Sequence, residues 1–138
     1  METGLAKQEK LDRYIVTKEN KMNNRTVVNA NDIISLKVMN NQDQDLGKIE
    51  AIMLHKADGK VAYVVLTYGG FLGMGNKLFA IPWNVFSYDA SRDCLRLSLS
   101  EEKLKNSPGF DKDNWPNFTS REVASSIEQF YPKNKKDI

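Results

Sequence analysis

The first candidate for chemistry is a glycine-rich stretch, residues 68–83, which carries Gly69, Gly70, Gly73 and Gly75. Such loops bind phosphate when they end in Gly-Lys-Ser or Gly-Lys-Thr and open a helix, because backbone amides and the helix dipole then converge on the anion. Here Gly75 is followed by Asn76 and Lys77, and then by a strand-like apolar run over residues 78–81. The sequence therefore predicts a wide, flexible hairpin rather than a nucleotide site.

A second candidate is a run of short polar side chains, Asn41, Asp43 and Asp45, whose spacing resembles the first half of a calcium-binding loop. Such a loop needs glycine at its sixth position and a bidentate glutamate at its twelfth. Those two positions hold Leu46 and Ile52. The run therefore predicts a solvated polar turn, since Asn and Asp side chains hydrogen-bond their own backbone.

The remaining titratable residues suggest no catalytic or metal-binding set. His55 is the only histidine and Cys94 the only cysteine, and one of each cannot supply the usual ligands of zinc. No base that would activate the thiol of Cys94 is evident, His55 is predicted at the surface near a turn, and Glu101 with Glu102 suits the first turn of a helix. We therefore predict no catalytic residue, no metal site and no cofactor, and we do not expect an enzyme.

Apolar side chains within the glycine-rich loop suggest contact with another surface. Phe71, Leu72 and Met74 lie between glycines, in a loop too flexible to justify them unless something covers them. We predict that they belong to an interaction surface. For Trp83 and Trp115 we predict instead a place in the core, because large aromatic side chains usually fill a small barrel.

The second predicted strand, residues 46–55, is apolar on both faces. Its odd positions form one apolar face (Ile49, Ala51, Met53), yet Ile52 and Leu54 are apolar on the other. A strand that is buried on one side would not need both sets. Either a bulge switches the faces or both sides are covered, and the second alternative would place Ile52 and Leu54 in a subunit interface.

The elements that must position these residues are short strands separated by turn signals. Alternating or β-branched segments predict six strands, over residues 36–39, 46–55, 61–68, 78–81, 86–88 and 94–99. In the last of these, Leu95, Leu97 and Leu99 should face inward while Arg96 and Ser98 face water. Asp58 and Gly59 predict a tight hairpin turn. This pattern is typical of a small barrel or sandwich, and closure would remove exposed edges.

Helices are predicted mainly after the strands. Ser100 should cap a short helix, and residues 119–122 match a capping box that begins with Thr119. The helix that follows should reach about Tyr131 and carry an apolar stripe. We therefore predict a polar arm (residues 1–29), a β-barrel (30–100), a short helix with an aromatic loop (101–116), and a C-terminal helix with a basic tail (117–138).

Charge and composition narrow the classes of partner and compartment. The net charge is +2, and residues 30–99 and 100–138 each carry seven basic and seven acidic side chains. The basic stripe of a nucleic-acid-binding protein is therefore missing, and nucleic acid is an unlikely partner. No apolar run approaches the roughly 18–20 residues that span a bilayer. With a single cysteine and no evident signal peptide, we expect a cytoplasmic protein.

The order and spacing of several segments resemble the PRC-barrel family. The residues that carry the resemblance are 40–50, 58–59 with 61–66, 77–83, 104–110 and 113–116. The resemblance implies a mainly β fold, a small, partly open barrel of about six strands. The usual glycine of the family after the first short helix is Ser35 here, which puts the tightness of that turn in doubt.

Within that family, the chain is similar to the short, stand-alone bacterial or archaeal members, for which the resemblance implies an adaptor role without enzymatic activity. We therefore expect a protein-interaction module that forms a homodimer. We also expect it to bind a protein partner whose identity the sequence does not give. The alternative is an RNA- or ribosome-associated maturation or stress factor, by analogy with the ribosome-maturation members. A third class, an enzyme or small-ligand carrier, would need a convergent polar pocket.

Overall fold

A computed structural model describes residues 27–71 and 75–131, without the side chain of Phe71. Nearly all of the predicted polar arm, the loop residues Leu72 and Met74, and the basic tail lie outside the described residues. The contacts predicted for Phe71, Leu72 and Met74 therefore stay predictions.

The described residues form one sheet followed by two α-helices. The six strands are β1 (Lys37–Met39), β2 (Asp45–Leu54), β3 (Val61–Phe71), β4 (Gly75–Pro82), β5 (Phe86–Asp89) and β6 (Cys94–Leu97). The helices are α1 (Glu101–Lys105) and α2 (Arg121–Glu128), and single 3-10 turns cover Ala30–Asp32 and Trp83–Val85. The predicted mainly β class with about six strands is confirmed.

The strand order is β4-β3-β2-β1-β6-β5, so β4 and β5 are the edges and the sheet is not closed into a barrel. All neighbouring strands are antiparallel except β1 and β6, which run parallel. The edge of β4 is partly covered, because the backbone amide of Leu78 donates to the carbonyl of Phe110 at 2.9 Å and the amide of Phe110 donates back at 2.9 Å.

A bulge in β2 explains its two apolar faces. Ile49 lies opposite Leu66 and Ile52 lies opposite Val64, with a register shift between them that makes Glu50 the extra residue. Leu66 and Val64 are two apart on β3 and so share a face, which brings Ile49 and Ile52 to the same side of the sheet. The bulge is therefore the correct alternative for Ile52. It gives no support to a subunit interface at that residue.

The core lies mainly on the inner face of the sheet, whereas the fully buried Val65 faces the other side. Its largest fully buried apolar side chains come from five strands and α1: Val38, Leu46, Ile49, Val64, Leu66, Phe79, Ile81, Leu95, Leu97 and Leu104. The predicted inward face of β6 is confirmed, since Leu95, Leu97 and Leu99 are all buried. The prediction that Arg96 faces water is wrong, because its side chain is only 18% exposed and is held by ion pairs.

Positive φ angles at Gly47 and Ser35 bear on two predicted features of the backbone. Gly47 has a φ of +118°, and a Cβ atom there would lie 2.0 Å from the carbonyl oxygen of Thr67 on β3. Ser35 has a φ of +71° after the first 3-10 turn. The turn therefore forms as a glycine would allow, although a non-glycine residue adopts this region at a steric cost.

Two predicted turn features are wrong in detail. The predicted tight turn at Asp58 and Gly59 belongs to a longer loop over residues 55–60, in which only Gly59 has positive φ. The N-cap of α2 is Ser120 rather than Thr119, since the Ser120 hydroxyl accepts a hydrogen bond from the amide of Val123. The cap of α1 is as predicted, with Ser100 accepting from the amide of Lys103.

Candidate interaction surface

The C-terminal segment lies against the outer face of the sheet. The ring of Tyr63 on β3 lies 5.6 Å from the ring of Phe118, and α2 packs on β4, with Ile127 buried. Ser120 fixes the start of α2 by accepting from the Val123 amide and by donating its hydroxyl hydrogen to Glu122 at 2.8 Å. The outer face is therefore covered by the chain itself at this point.

A groove of about 490 Å³ remains where the sheet end meets α2. One side is formed by the beginning of β3 and by the turn after β4, and the other by the start of the C-terminal segment and by α2, with His55 at the rim. The residues that α2 contributes are Arg121, Ala124 and Glu128. We call this cavity the α2 groove.

Tyr63 lies at the base of the α2 groove and is only 7% exposed. Burial raises the pKa of its hydroxyl, and the negative charge of Glu128 raises this pKa further. Tyr63 is therefore neutral at physiological pH. Only a small part of Tyr63 is exposed, although it lines the groove.

Two large apolar side chains are exposed at this end of the sheet. Trp83, which follows Pro82 at the end of β4, is 37% exposed and packs on Phe86 with ring centroids 6.4 Å apart. Leu54, the last residue of β2, is 58% exposed and pairs with Val61 of β3, which also lines the groove. The prediction that Trp83 belongs to the core is wrong, because β4 ends before it and directs it to the groove wall.

Trp115 is likewise 41% exposed, which contradicts its predicted place in the core. It caps an aromatic cluster instead. Its ring lies 5.1 Å from Phe110 and 6.4 Å from Phe118, and its indole N–H donates to the carbonyl of Lys112 at 2.8 Å. This cluster fixes the loop that leads into α2, so that Trp115 positions the groove wall from outside.

The polar turn before β2 is organised by Arg96. Its guanidinium donates to Asp43 at 2.8 Å, to the carbonyl of Asn40 at 2.7 Å and to Asp89 at 3.0 Å. Arg92 also pairs with Asp43, at 3.3 Å. The carboxylate of the former calcium candidate therefore faces two guanidinium groups, and the described residues hold no group of three or more His, Cys, Asp or Glu placed to bind a metal.

Asp89 has a strongly perturbed ionisation within this network. Hydrogen bonds from Ser91 and then from Arg96 lower the pKa of Asp89 to about 2. These charges are matched pair by pair. We interpret these ion pairs as structural links between β6 and two turns, rather than as a proton-transfer site.

The other residues considered for chemistry have structural environments. His55 is exposed at the groove rim. Cys94 is 1% exposed, and burial raises the pKa of its thiol, which disfavours the reactive thiolate. Glu101 accepts a hydrogen bond from the Tyr68 hydroxyl at 2.5 Å, which anchors α1 to β3.

Of the predicted interaction residues, the structure describes the side chains of Leu54 and Ile52. Leu54 is exposed near the α2 groove, whereas Ile52 packs partly buried against the core. Sequence reasoning missed Arg121, Ala124 and Glu128, although their spacing of three and four residues was a readable signal of a second helix face. Which residues of α2 border a groove depends on how the helix docks on the sheet, and that docking is a long-range contact.

A family model, the PRC-barrel domain, matches residues 25–104, which is more than half of the chain. The chain belongs to the PRC-barrel domain family. The strands of the sheet all lie within the matched region, whereas α2 lies beyond it. The α2 groove is therefore formed between the PRC-barrel sheet and a segment that the family model does not cover.

This PRC-barrel chain also has weak structural similarity to a chain of known structure. It is similar to a structure described as a 16S ribosomal RNA processing protein, RimM, of Pseudomonas aeruginosa, with 16% identity and a TM-score of 0.38. The match covers 59% of this chain and 49% of that one, so the chain spans about half the length of the relative. No protein in the curated set matches. No helix among the described residues is long and apolar enough to cross a membrane.

Proposed function

We propose that this PRC-barrel protein is a non-enzymatic interaction module that self-associates and acts as an adaptor for a protein partner. One observation carries the proposal: Leu54, 58% exposed, and Trp83, 37% exposed, both lie at the end of the sheet beside the α2 groove. Strand pairing places both residues at the same end of the sheet, since Leu54 pairs with Val61, and Pro82, next to Trp83, pairs with Tyr63. Large exposed apolar side chains are typical of contact surfaces, and tryptophan is enriched in them.

The chemistry of the described residues is consistent with this role. The strongest polar arrangement, around Arg96, is internally paired, and the most perturbed carboxyl, Asp89, is held by hydrogen bonds within it. The buried thiol of Cys94 has a raised pKa. Binding through shape and apolar area requires none of these groups, so we assign no catalytic residue.

Light scattering on the full chain, from about 1 to 300 µM, tests the proposal, because dimers with micromolar dissociation constants assemble in that range. We expect the average molar mass to rise with concentration from that of a monomer to that of a dimer. A Trp83→Ser and Leu54→Ser double variant should stay monomeric, and a Phe71→Ser and Leu72→Ser variant tests the hairpin contribution separately. A wild-type chain that is monomeric throughout would contradict self-association.

The same samples distinguish the ribosome-associated alternative. An RNA-binding protein loses affinity as salt rises, because counterions are released from phosphates. We expect no RNA binding even at low salt. Salt-sensitive binding of a structured RNA would favour the alternative and argue against an adaptor that contacts protein alone.

A further inference from the structure

A second face of α2 borders the α2 groove. Arg121, Ala124 and Glu128 all line the α2 groove. They are spaced by three and four residues, which places them on one side of the helix. Arg121 and Glu128 are two turns apart, or about 10 Å along the axis. The stripe therefore has a cation at one end, an anion at the other and a small residue between them.

The two ends of this stripe carry opposite charges. Within the described part of the chain, no ion pair joins Arg121 or Glu128 to another side chain. Burial raises the pKa of Tyr63, and the charge of Glu128 raises this pKa further. As far as residues 27–71 and 75–131 are concerned, both charges can therefore pair with an external partner.

We propose that the occupant of this face is a second copy of the chain, with the two α2 helices packed antiparallel about a twofold axis near Ala124. This inference rests on the proposed self-association and gives it a surface. In a twofold contact, if one residue of the first copy contacts a second residue of the other copy, the same pair also forms with the two copies exchanged. Antiparallel α2 helices accordingly place Arg121 of each copy against Glu128 of the other. The dimer therefore contains two Arg121–Glu128 ion pairs.

The residues around the stripe suit such a contact. Because Ala124 has a small side chain, the axes of the two α2 helices can approach to about 8–10 Å, the separation that is typical of packed helices. Trp83 and Leu54, exposed beside the groove, supply apolar area at the edge of the same surface. Tryptophan and arginine are the residue types that contribute most to binding energy in protein interfaces.

Charge reversal in the full chain tests the pairing by sedimentation velocity. Arg121→Glu and Glu128→Arg each replace two attractive contacts with two repulsive ones, so each single variant should weaken the dimer by about ten-fold or more. The double variant R121E/E128R exchanges the charges and should regain most of the wild-type affinity. Lys112→Glu is the matched control, because it reverses an exposed charge at a cavity other than the α2 groove. It should leave the dimer affinity unchanged.

Each outcome decides the inference. If both single variants dimerise like the wild type, or if the double variant stays as weak as the single ones, the antiparallel α2 contact is wrong while self-association stands. If the wild type itself is monomeric, the proposed function fails as well. Circular dichroism confirms folding, and Ala124→Arg is the further test if a reversal variant does not fold. That variant should block dimerisation, and an unchanged dimer would overturn the proposal.

Discussion

The ring of Tyr63 on β3 lies 5.6 Å from the ring of Phe118, which stands just before α2 in the chain. This contact joins the PRC-barrel sheet to the C-terminal segment. It also lies at the groove itself, since both residues line the cavity. The shape of the candidate surface therefore depends on how firmly this segment is docked.

Phe118→Ala should undock the segment in part. Phe118 contacts Tyr63, Phe110 and Trp115, so its loss removes several aromatic contacts. Because Phe118 is only partly buried, we expect the free energy of unfolding to fall by about 2 kcal/mol, below the 3–5 kcal/mol of fully buried phenylalanines. Urea denaturation measures the loss. Thr119→Ala, an exposed neighbour that is not the helix cap, should change the stability by less than about 0.5 kcal/mol. Equal effects of the two substitutions would contradict the docking role.

Gly47→Ala should be far more destabilising than Gly59→Ala. Both glycines have positive φ, so both substitutions are strained, and the φ of +118° at Gly47 lies farther from the left-handed helical region than the +77° at Gly59. Only at Gly47 would the new Cβ meet the Thr67 carbonyl, at 2.0 Å, whereas the space around Gly59 is open. We expect Gly59→Ala to cost about 1 kcal/mol and Gly47→Ala at least about 2 kcal/mol more, since the β2–β3 pairing must shift. Thermal or urea denaturation measures both. Similar losses would mean that the close approach of β2 to β3 is not needed.

Acid should weaken the Arg96 network through Asp89. The pKa of Asp89 is lowered to about 2, so the carboxylate stabilises the fold in full above the ordinary aspartate pKa of about 4. This stabilisation is lost as the pH falls from about 4 towards 2, because the unfolded chain takes up the proton first. We expect Asp89→Asn to be less stable than wild type near neutral pH, with the difference shrinking below pH 4. A difference that is independent of pH would contradict the assignment.

High pH should destabilise the fold through the Tyr68–Glu101 contact, whereas low pH does so through Asp89. Burial, the hydrogen bond to Glu101 and the charge of that carboxylate raise the pKa of Tyr68 to about 12. The neutral hydroxyl therefore stabilises the fold in full below the ordinary tyrosine pKa of about 10, and this contribution is lost as the pH rises through about 12. Comparing the ultraviolet titration of wild type with that of Tyr68→Phe isolates this group. Glu101→Gln should bring its midpoint closer to 10, and an unchanged midpoint would contradict the role of Glu101.

Local pattern was enough to predict most of the strands. The alternation of Leu95, Leu97 and Leu99 marked the buried face of β6, and the β-branched run of β3 marked a central strand. Such signals depend on a period of two that is visible within a few residues. The cap of α2 was missed by one position because Thr119 and Ser120 both carry a hydroxyl, and only the backbone geometry decides between them.

Long-range pairing was out of reach of the sequence. Arg96 looked like a solvent-facing residue of β6, but Asp43 and Asn40, its partners, come from a turn that only the parallel β1–β6 pairing brings close. The bulge at Glu50 depends on the register of β3. Trp83 was misplaced for a similar reason, since its exposure follows from where β4 ends and α2 packs.

Hydrogen exchange of the full chain at low and high protein concentration, about 2 and 200 µM, tests the contact role most directly, because it shows both whether copies associate and where. We predict added protection at high concentration in the β2–β3 loop, around Trp83 and along α2. The amides around Arg96, at the polar turn, should exchange alike in both samples. Identical exchange throughout the chain at the two concentrations, or added protection only outside the α2 groove, would contradict the account.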